Sequence, residues 1–109
     1  MFGNMGKMIK LAAELKTKLP RLKEELDDSE YEVVSEDGGV TVTVNGTMKL
    51  VDLKLADGLL EDPEISVSKL AGNILAAAVA AQAKAREALE TRFRELTGGM
   101  EIPGLSDVI

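Results

Sequence analysis

The sequence contains no cysteine, no histidine and no tryptophan. Thiol nucleophiles, imidazole general bases, Ser-His-Asp triads and every thiolate or imidazole zinc site are thereby excluded. The carboxylates, lysines, hydroxyls and single tyrosine that remain are thin material for an enzyme, and no carboxylate pair suited to acid–base work stands out. No disulfide can form, which suits a reducing compartment. The aromatics are Phe2, Tyr31 and Phe93 alone, so no stacking platform for single-stranded nucleic acid is present. Hydrophobic runs are short: the longest, Ile74 to Ala81, has eight residues and is rich in alanine, against the ~20 that a membrane span needs. The opening MFGNMGKMIK lacks the apolar stretch of a secretory signal. The expectation is a soluble, cytoplasmic protein with no membrane partner, no cofactor, no metal and no small-molecule substrate.

What is there is one domain's worth of chain, residues 1–109. Apolar residues make up 45%, but twelve of them are alanine, so the core is light and a second subunit would add to it. The net charge of −6 argues against nucleic acid until its distribution is considered. Residues 1–23 carry Lys7, Lys10, Lys16, Lys18, Arg21 and Lys23 against Glu14, a net +5. Residues 24–68 hold 13 acids against Lys49 and Lys54, a net −11, and residues 69–109 balance at zero. Such polarisation points to an anionic partner at one end.

Hydrophobic periodicity divides the chain. Met5, Met8, Ala12, Leu15, Leu19, Leu22 and Leu26 alternate in steps of three and four, the seam of a coiled-coil-like helix over residues 1–28. Asn4 is a candidate N-cap. Pro20 lies inside the pattern without breaking its phase, which favours one kinked, continuous helix. The period then becomes two. Tyr31 and Val33 open a strand, Glu36-Asp37-Gly38-Gly39 is a turn, and Val40, Val42 and Val44 alternate with polar residues. Asn45-Gly46 is a hairpin signal, followed by a strand from Thr47 to Leu55. There the opposite parity of Met48 and Leu50 to Val51, Leu53 and Leu55 calls for a bulge or a second covered face. Residues 30–55 thus form a three-stranded antiparallel meander. A loop bracketed by Asp57-Gly58 and Asp62-Pro63 leads to a long helix over 66–97, capped by Ser66 or Ser68 and closed by Gly98-Gly99. Its apolar stripe reads Val67, Leu70, Ile74, Ala78, Ala81, Ala85, Ala88, Leu89 and Leu96, and a tail occupies 98–109. The fold class is α+β, in the order α-β-β-β-α. Helices this long cannot be covered by three strands, so they must project and need a partner.

Three segments resemble one family. The opening Met1-Phe2-Gly3-Asn4-Met5-Gly6-Lys7-Met8, the middle Gly39 to Leu55 with Leu59-Leu60-Glu61-Asp62, and the close Leu96-Thr97-Gly98-Gly99-Met100-Glu101-Ile102-Pro103-Gly104-Leu105 are similar to the YbaB/EbfC family of small bacterial nucleoid-associated proteins. The closing motif is the most specific of the three. Pro20, and Val79 with Ala80 in the second helix, depart from the family's more polar helices. The resemblance implies a tweezer-like homodimer whose sheets join at the centre while the helices project as arms. It implies binding of duplex DNA with little sequence preference, association with the nucleoid, and no enzymatic activity.

On that implication the candidate DNA-binding residues are Lys7, Lys10, Lys16, Lys18 and Arg21 on the first helix, with Arg92 and Arg94 on the last. Lysine and arginine bind duplex DNA by neutralising phosphates and releasing counterions. The plainer reading stays open beside it. Charged residues off a heptad seam form a solvated face, and Arg86–Glu90 and Glu90–Arg94 are spaced for pairing within the helix. The acidity and the light core also fit another class, an acidic dimeric interaction module or small chaperone that does not bind DNA.

Overall fold

The computed structural model describes residues 2–98; Gly99 and the rest of the expected tail lie outside them. The elements are α1 (Phe2–Asp28), β1 (Glu30–Val34), β2 (Val40–Asn45), β3 (Leu50–Leu55), a short 3-10 turn (Leu59–Glu61) and α2 (Val67–Thr97). The three strands form an antiparallel sheet in the order β1-β2-β3. The molecule measures 68 × 23 × 16 Å with a radius of gyration of 19.1 Å, against about 13 Å for a compact chain of this length. The excess comes from the helices.

The central strand explains the core. Val40, Val42 and Val44 alternate toward one face and are fully buried against Ala77, Ala81 and Ala85 of α2. Burying a valine contributes roughly 1.5–3 kcal/mol, and the alanines let the helix axis approach the sheet closely. The buried residues of α2 continue at every fourth position: Ala77, Ala81, Ala85, Leu89, Phe93 and Thr97. This stripe overlaps the expected one at Ala81, Ala85 and Leu89 but adds Ala77, Phe93 and Thr97, while Val67 lies exposed at the helix start. Ser66 is the N-cap, its hydroxyl accepting from the Lys69 N–H at 3.1 Å. Gly98 closes the helix in the left-handed region (φ 63°), donating its N–H to the Arg94 carbonyl.

A second cluster joins the helices. Leu22 and Leu26 of α1 pack with Leu89 and Phe93 of α2, supported by Leu19 and Leu96. The grooves between the helices pair residues 22–29 with 84–92 and residues 18–25 with 92–96, so the two run antiparallel. Earlier along α1, among the described side chains, Leu15 alone is buried, and Met5, Met8 and Ala12 are exposed. The seam is therefore covered over its second half alone. α1 begins at Phe2, which places Asn4 inside the helix rather than at its cap. It passes through Pro20 without a break. Proline removes the donor for the carbonyl four residues earlier; here Lys16 and Pro20 are both exposed, so that carbonyl meets water.

The β2–β3 connection is wider than a two-residue Asn-Gly turn. The Asn45 N–H donates to the Lys49 carbonyl and the Met48 N–H to the Asn45 carbonyl. Gly46, Thr47 and Met48 thus form a three-residue loop whose last member is left-handed (Met48 φ 68°). The buried Asn45 side chain holds the loop: its Oδ1 accepts from the N–H groups of Thr47 and Lys49 at 3.1 and 3.0 Å. β3 accordingly begins at Leu50, not Thr47, and the expected bulge falls where Thr43 pairs with Asp52 but Val44 with Leu50. The loop also anchors α1. Gly46 N–H donates to the carbonyls of Leu26 (2.7 Å) and Ser29 (3.1 Å), and the Thr47 hydroxyl lies 2.9 Å from Asp27 Oδ1.

Candidate nucleic-acid interface

The α1 arm carries the charge. Its residues from Met5 to Leu26 span about 30 Å at 1.5 Å per residue, and its root is the contact of Leu26 with Gly46. Lys7, Lys10, Lys16, Lys18 and Arg21 are all exposed. At 100° per residue, Lys7, Lys10, Lys18 and Arg21 fall within roughly an 80° arc, whereas Lys16 lies on the other flank of the apolar seam. The arm therefore bears one basic stripe about 21 Å long, with Glu14 as the acid within it.

Glu25 governs the end of that stripe nearest the sheet. Arg92 of α2 donates from Nη2 to Glu25 Oε2 at 3.0 Å, and Arg21 Nε lies 3.9 Å from Glu25 Oε1. Lys18, Arg21, Glu25 and Arg92 line one groove together with the apolar Leu22 and Leu96. The structure thus unites Lys18, Arg21 and Arg92 but sets an acid among them. Arg94 is exposed; two residues from Arg92 on the same helix, it faces away from that groove. The Glu25–Arg92 bridge was not legible from local spacing, because its partners are 67 residues apart. Among the described residues the close ion pairs are Arg21–Glu25, Asp52–Lys54 and Glu25–Arg92, so the pairing of Arg94 with Glu90 expected from spacing is not formed.

Outside the arm, one carboxylate is electrostatically distinct. The Ser35 hydroxyl donates to Asp37 Oδ1 at 2.6 Å and the Gly39 N–H to the same oxygen at 2.9 Å, holding the Asp37 carboxyl below its ordinary pKa, with help from the charge of Lys69. Asn73 Nδ2 donates to the other oxygen at 2.9 Å. This is a structural tie between the β1–β2 turn and α2. Among the described residues no cluster of acidic side chains is arranged to hold a metal ion, and no helix is long and apolar enough to cross a membrane.

Two long helices stand on one small sheet, and the first of them carries a stripe of exposed lysines. The sequence pattern of the YbaB/EbfC DNA-binding family matches residues 1–100, and the chain belongs to that family. It is a family of DNA-binding proteins, not of enzymes. A nucleoid-associated protein of Prochlorococcus marinus is 34% identical over 97% of this chain and 91% of its own. One of Pelotomaculum thermopropionicum is 37% identical, covering 96% of this chain and 98% of its own. The crystal structure of an uncharacterized Helicobacter pylori protein, 27% identical, superposes with a TM-score of 0.59 over 74% of this chain and 92% of that one.

Proposed function

We propose that this chain is a dimeric nucleoid-associated protein that binds duplex DNA through phosphate contacts with little sequence specificity. The observation that carries the reading is the stripe of Lys7, Lys10, Lys18 and Arg21 on a projecting helix, in a family of DNA-binding proteins. Flexible lysines on one helix face can each reach a phosphate of a duplex, which carries one charge per ~1.7 Å of its axis. The lysines offer no planar fork for base edges, and the one guanidinium of the stripe, Arg21, lies beside Glu25, so sequence preference is weak. The net charge of −6 does not oppose this. The acids concentrate in residues 24–68, and Lys7 lies about 28 Å along α1 from Leu26, several times the ~8 Å screening length at physiological salt. Joining two copies at their sheets presents two such arms to one duplex.

The test is binding to a random duplex of about 30 bp at 50 and 200 mM salt. Eight arm cations, four per subunit, predict a loss of about 10³–10⁵ in affinity across that range. Lys18→Glu/Arg21→Glu abolishes most of the binding at 50 mM salt, whereas Lys16→Glu, off the stripe, has the smaller effect. Salt-insensitive binding, or no binding at 50 mM, overturns the reading and favours the acidic interaction module.

A further inference from the structure

Three pairs in the chain join an aspartate or asparagine to a following glycine: Asp37-Gly38, Asn45-Gly46 and Asp57-Gly58. Glycine has no Cβ to shield its amide nitrogen. That nitrogen can therefore attack the carbonyl carbon of the preceding side chain and close a succinimide ring. In an unfolded chain the Asn-Gly pair reacts fastest. The reaction needs a side chain able to turn toward the next nitrogen, and an N–H that is not already spent in a hydrogen bond.

The fold withholds both conditions from the first two pairs. Both oxygens of Asp37 are held, by Ser35 and Gly39 on one side and Asn73 on the other. The Gly38 N–H donates to the Ser35 carbonyl at 2.9 Å. Asn45 and Gly46 are buried. Asn45 Oδ1 accepts from the Thr47 and Lys49 N–H groups, and the Gly46 N–H is shared between the Leu26 and Ser29 carbonyls. The third pair differs on each count. Asp57 and Gly58 are exposed. Among the described residues, neither the Asp57 carboxylate nor the Gly58 N–H has a hydrogen-bond partner. Gly58 has φ 80° and ψ −2°, and the Leu59 N–H donates to the Ala56 carbonyl at 3.1 Å. These are the marks of a type II turn over Ala56–Leu59, whose central amide, the Gly58 N–H, lies outside the turn's own hydrogen bond.

We propose that Asp57-Gly58 is a site of spontaneous covalent modification, at which Asp57 isomerises to isoaspartate while Asp37 and Asn45 are preserved. The Gly58 nitrogen loses its proton and attacks Cγ of the protonated Asp57 carboxyl. An N–Cγ bond forms, a Cγ–O bond breaks, and the oxygen leaves as water. Water then reopens the succinimide at either carbonyl. Opening at Cγ restores aspartate. Opening at the main-chain carbonyl leaves the chain running through Cβ and Cγ, with the carboxylate now on Cα. Mass and charge are unchanged, but the main chain gains a methylene between Ala56 and Leu59. The Leu59 side chain packs on the cluster of Val40, Val42 and Ala77 and lies over Gly39. Lengthening the turn that positions it loosens the cover at this end of the core.

The experiment compares the three pairs in one sample. The intact protein is held for several weeks at pH 7 and 37 °C, either folded in buffer or unfolded in guanidinium chloride. Trypsin separates the sites, with Asp57 in the peptide 55–69 and the other two in 24–49. Chromatography with electron-transfer fragmentation identifies isoaspartate, and a change of mass identifies deamidated Asn45. In the unfolded chain Asn45 reacts first and Asp37 keeps pace with Asp57. In the folded protein isoaspartate accumulates at Asp57 about tenfold or more faster than at Asp37, and Asn45 falls behind Asp57, because both protected pairs wait for local opening. Ser35→Ala/Asn73→Ala removes two of the ties on Asp37; it speeds isomerisation there in the folded protein and leaves the rate at Asp57 unchanged. A folded protein in which Asp37 or Asn45 reacts as fast as Asp57 overturns the proposal. So does one in which Asp57 stays intact while the unfolded chain reacts, a comparison that stands whether or not the variant folds. An unchanged Asp37 rate in a variant whose circular dichroism matches wild type overturns the protective role of its hydrogen bonds, and the proposal with it.

Discussion

Gly46→Ala tests how the arm is fastened to the body. A Cβ at this position would sit 2.5 Å from the Leu26 carbonyl oxygen, 2.9 Å from Leu26 Cα and 3.0 Å from its carbonyl carbon. These are backbone atoms, so no side-chain rotation relieves the overlap. Either the β2–β3 loop or the last turn of α1 must move by about 1 Å to restore ordinary contact. That movement lengthens the hydrogen bond from Gly46 N–H to the Leu26 carbonyl, now 2.7 Å, and the second one to Ser29 at 3.1 Å. Forced overpacking costs about 1–3 kcal/mol, and weakening two backbone hydrogen bonds adds about 0.5–1.5 kcal/mol for each. The expected loss is about 2–6 kcal/mol, or a fall in Tm of roughly 10 °C or more for a domain of this size. Urea and thermal unfolding followed by circular dichroism, at one fixed protein concentration because association contributes to stability, measure it. Hydrogen exchange locates it: amides of α1 near Leu22 and Leu26 exchange faster, while those of β2 against α2 keep their order of protection. A variant within about 0.5 kcal/mol of wild type, in the range of ordinary surface substitutions, refutes the view that close backbone contact holds the arm.

Two further outcomes follow from the side chains. Glu25→Gln frees Arg21 and Arg92; it changes stability by less than about 1 kcal/mol because the pair is half exposed, but it tightens duplex binding and steepens the salt dependence by about 0.9 per freed contact, and unchanged affinity and slope in a titration against salt would rule this out. Asp37→Asn lowers Tm at pH 7: the native Asp37 carboxyl lies below its ordinary pKa, so its stabilisation is complete above the unfolded value and disappears as pH falls through the folded one. The Tm gap between wild type and variant therefore closes below about pH 4, and a constant gap from pH 7 to pH 3 would contradict the assignment.

The elements were legible in the sequence because each rests on a local regularity. Steps of three and four mark α1, alternating valines mark β2, and Ser66 and Gly98 mark the ends of α2. What the sequence withheld concerns coverage. A heptad seam states that one face is apolar, not how far along the helix a neighbour exists to cover it. Hence Met5 and Met8 share the pattern of Leu22 and Leu26 yet lie exposed. The alanine positions of α2 were ambiguous for the same reason: with Ala76, Ala77, Ala78, Ala80 and Ala81 interrupted by Val79 alone, periodicity does not choose Ala77. The loop at Met48 was hidden by residue type, since a left-handed methionine carries no signal. It is held there because Met48 packs against both hydrophobic clusters and its carbonyl accepts from Gln82 Nε2 at 3.1 Å. The candidate interface was legible as a list of bases. Which of them share a face with others, and which are answered by Glu25, required the distance between α1 and α2.

The narrow root of α1 has a mechanical consequence. A rod of about 30 Å, packed on α2 along its second half and exposed along its first, works as a lever. Tilting it by about 10° about the Leu26–Gly46 contact swings its far end through roughly 5 Å, almost half the ~12 Å width of a major groove. An adjustment of about 1 Å where Gly46 meets Leu26 is multiplied several-fold where Lys7 and Lys10 sit. The position of the arm's far end is thus set at its root, by the one glycine that lets two stretches of backbone touch and by the packing of Leu22 and Leu26 on α2.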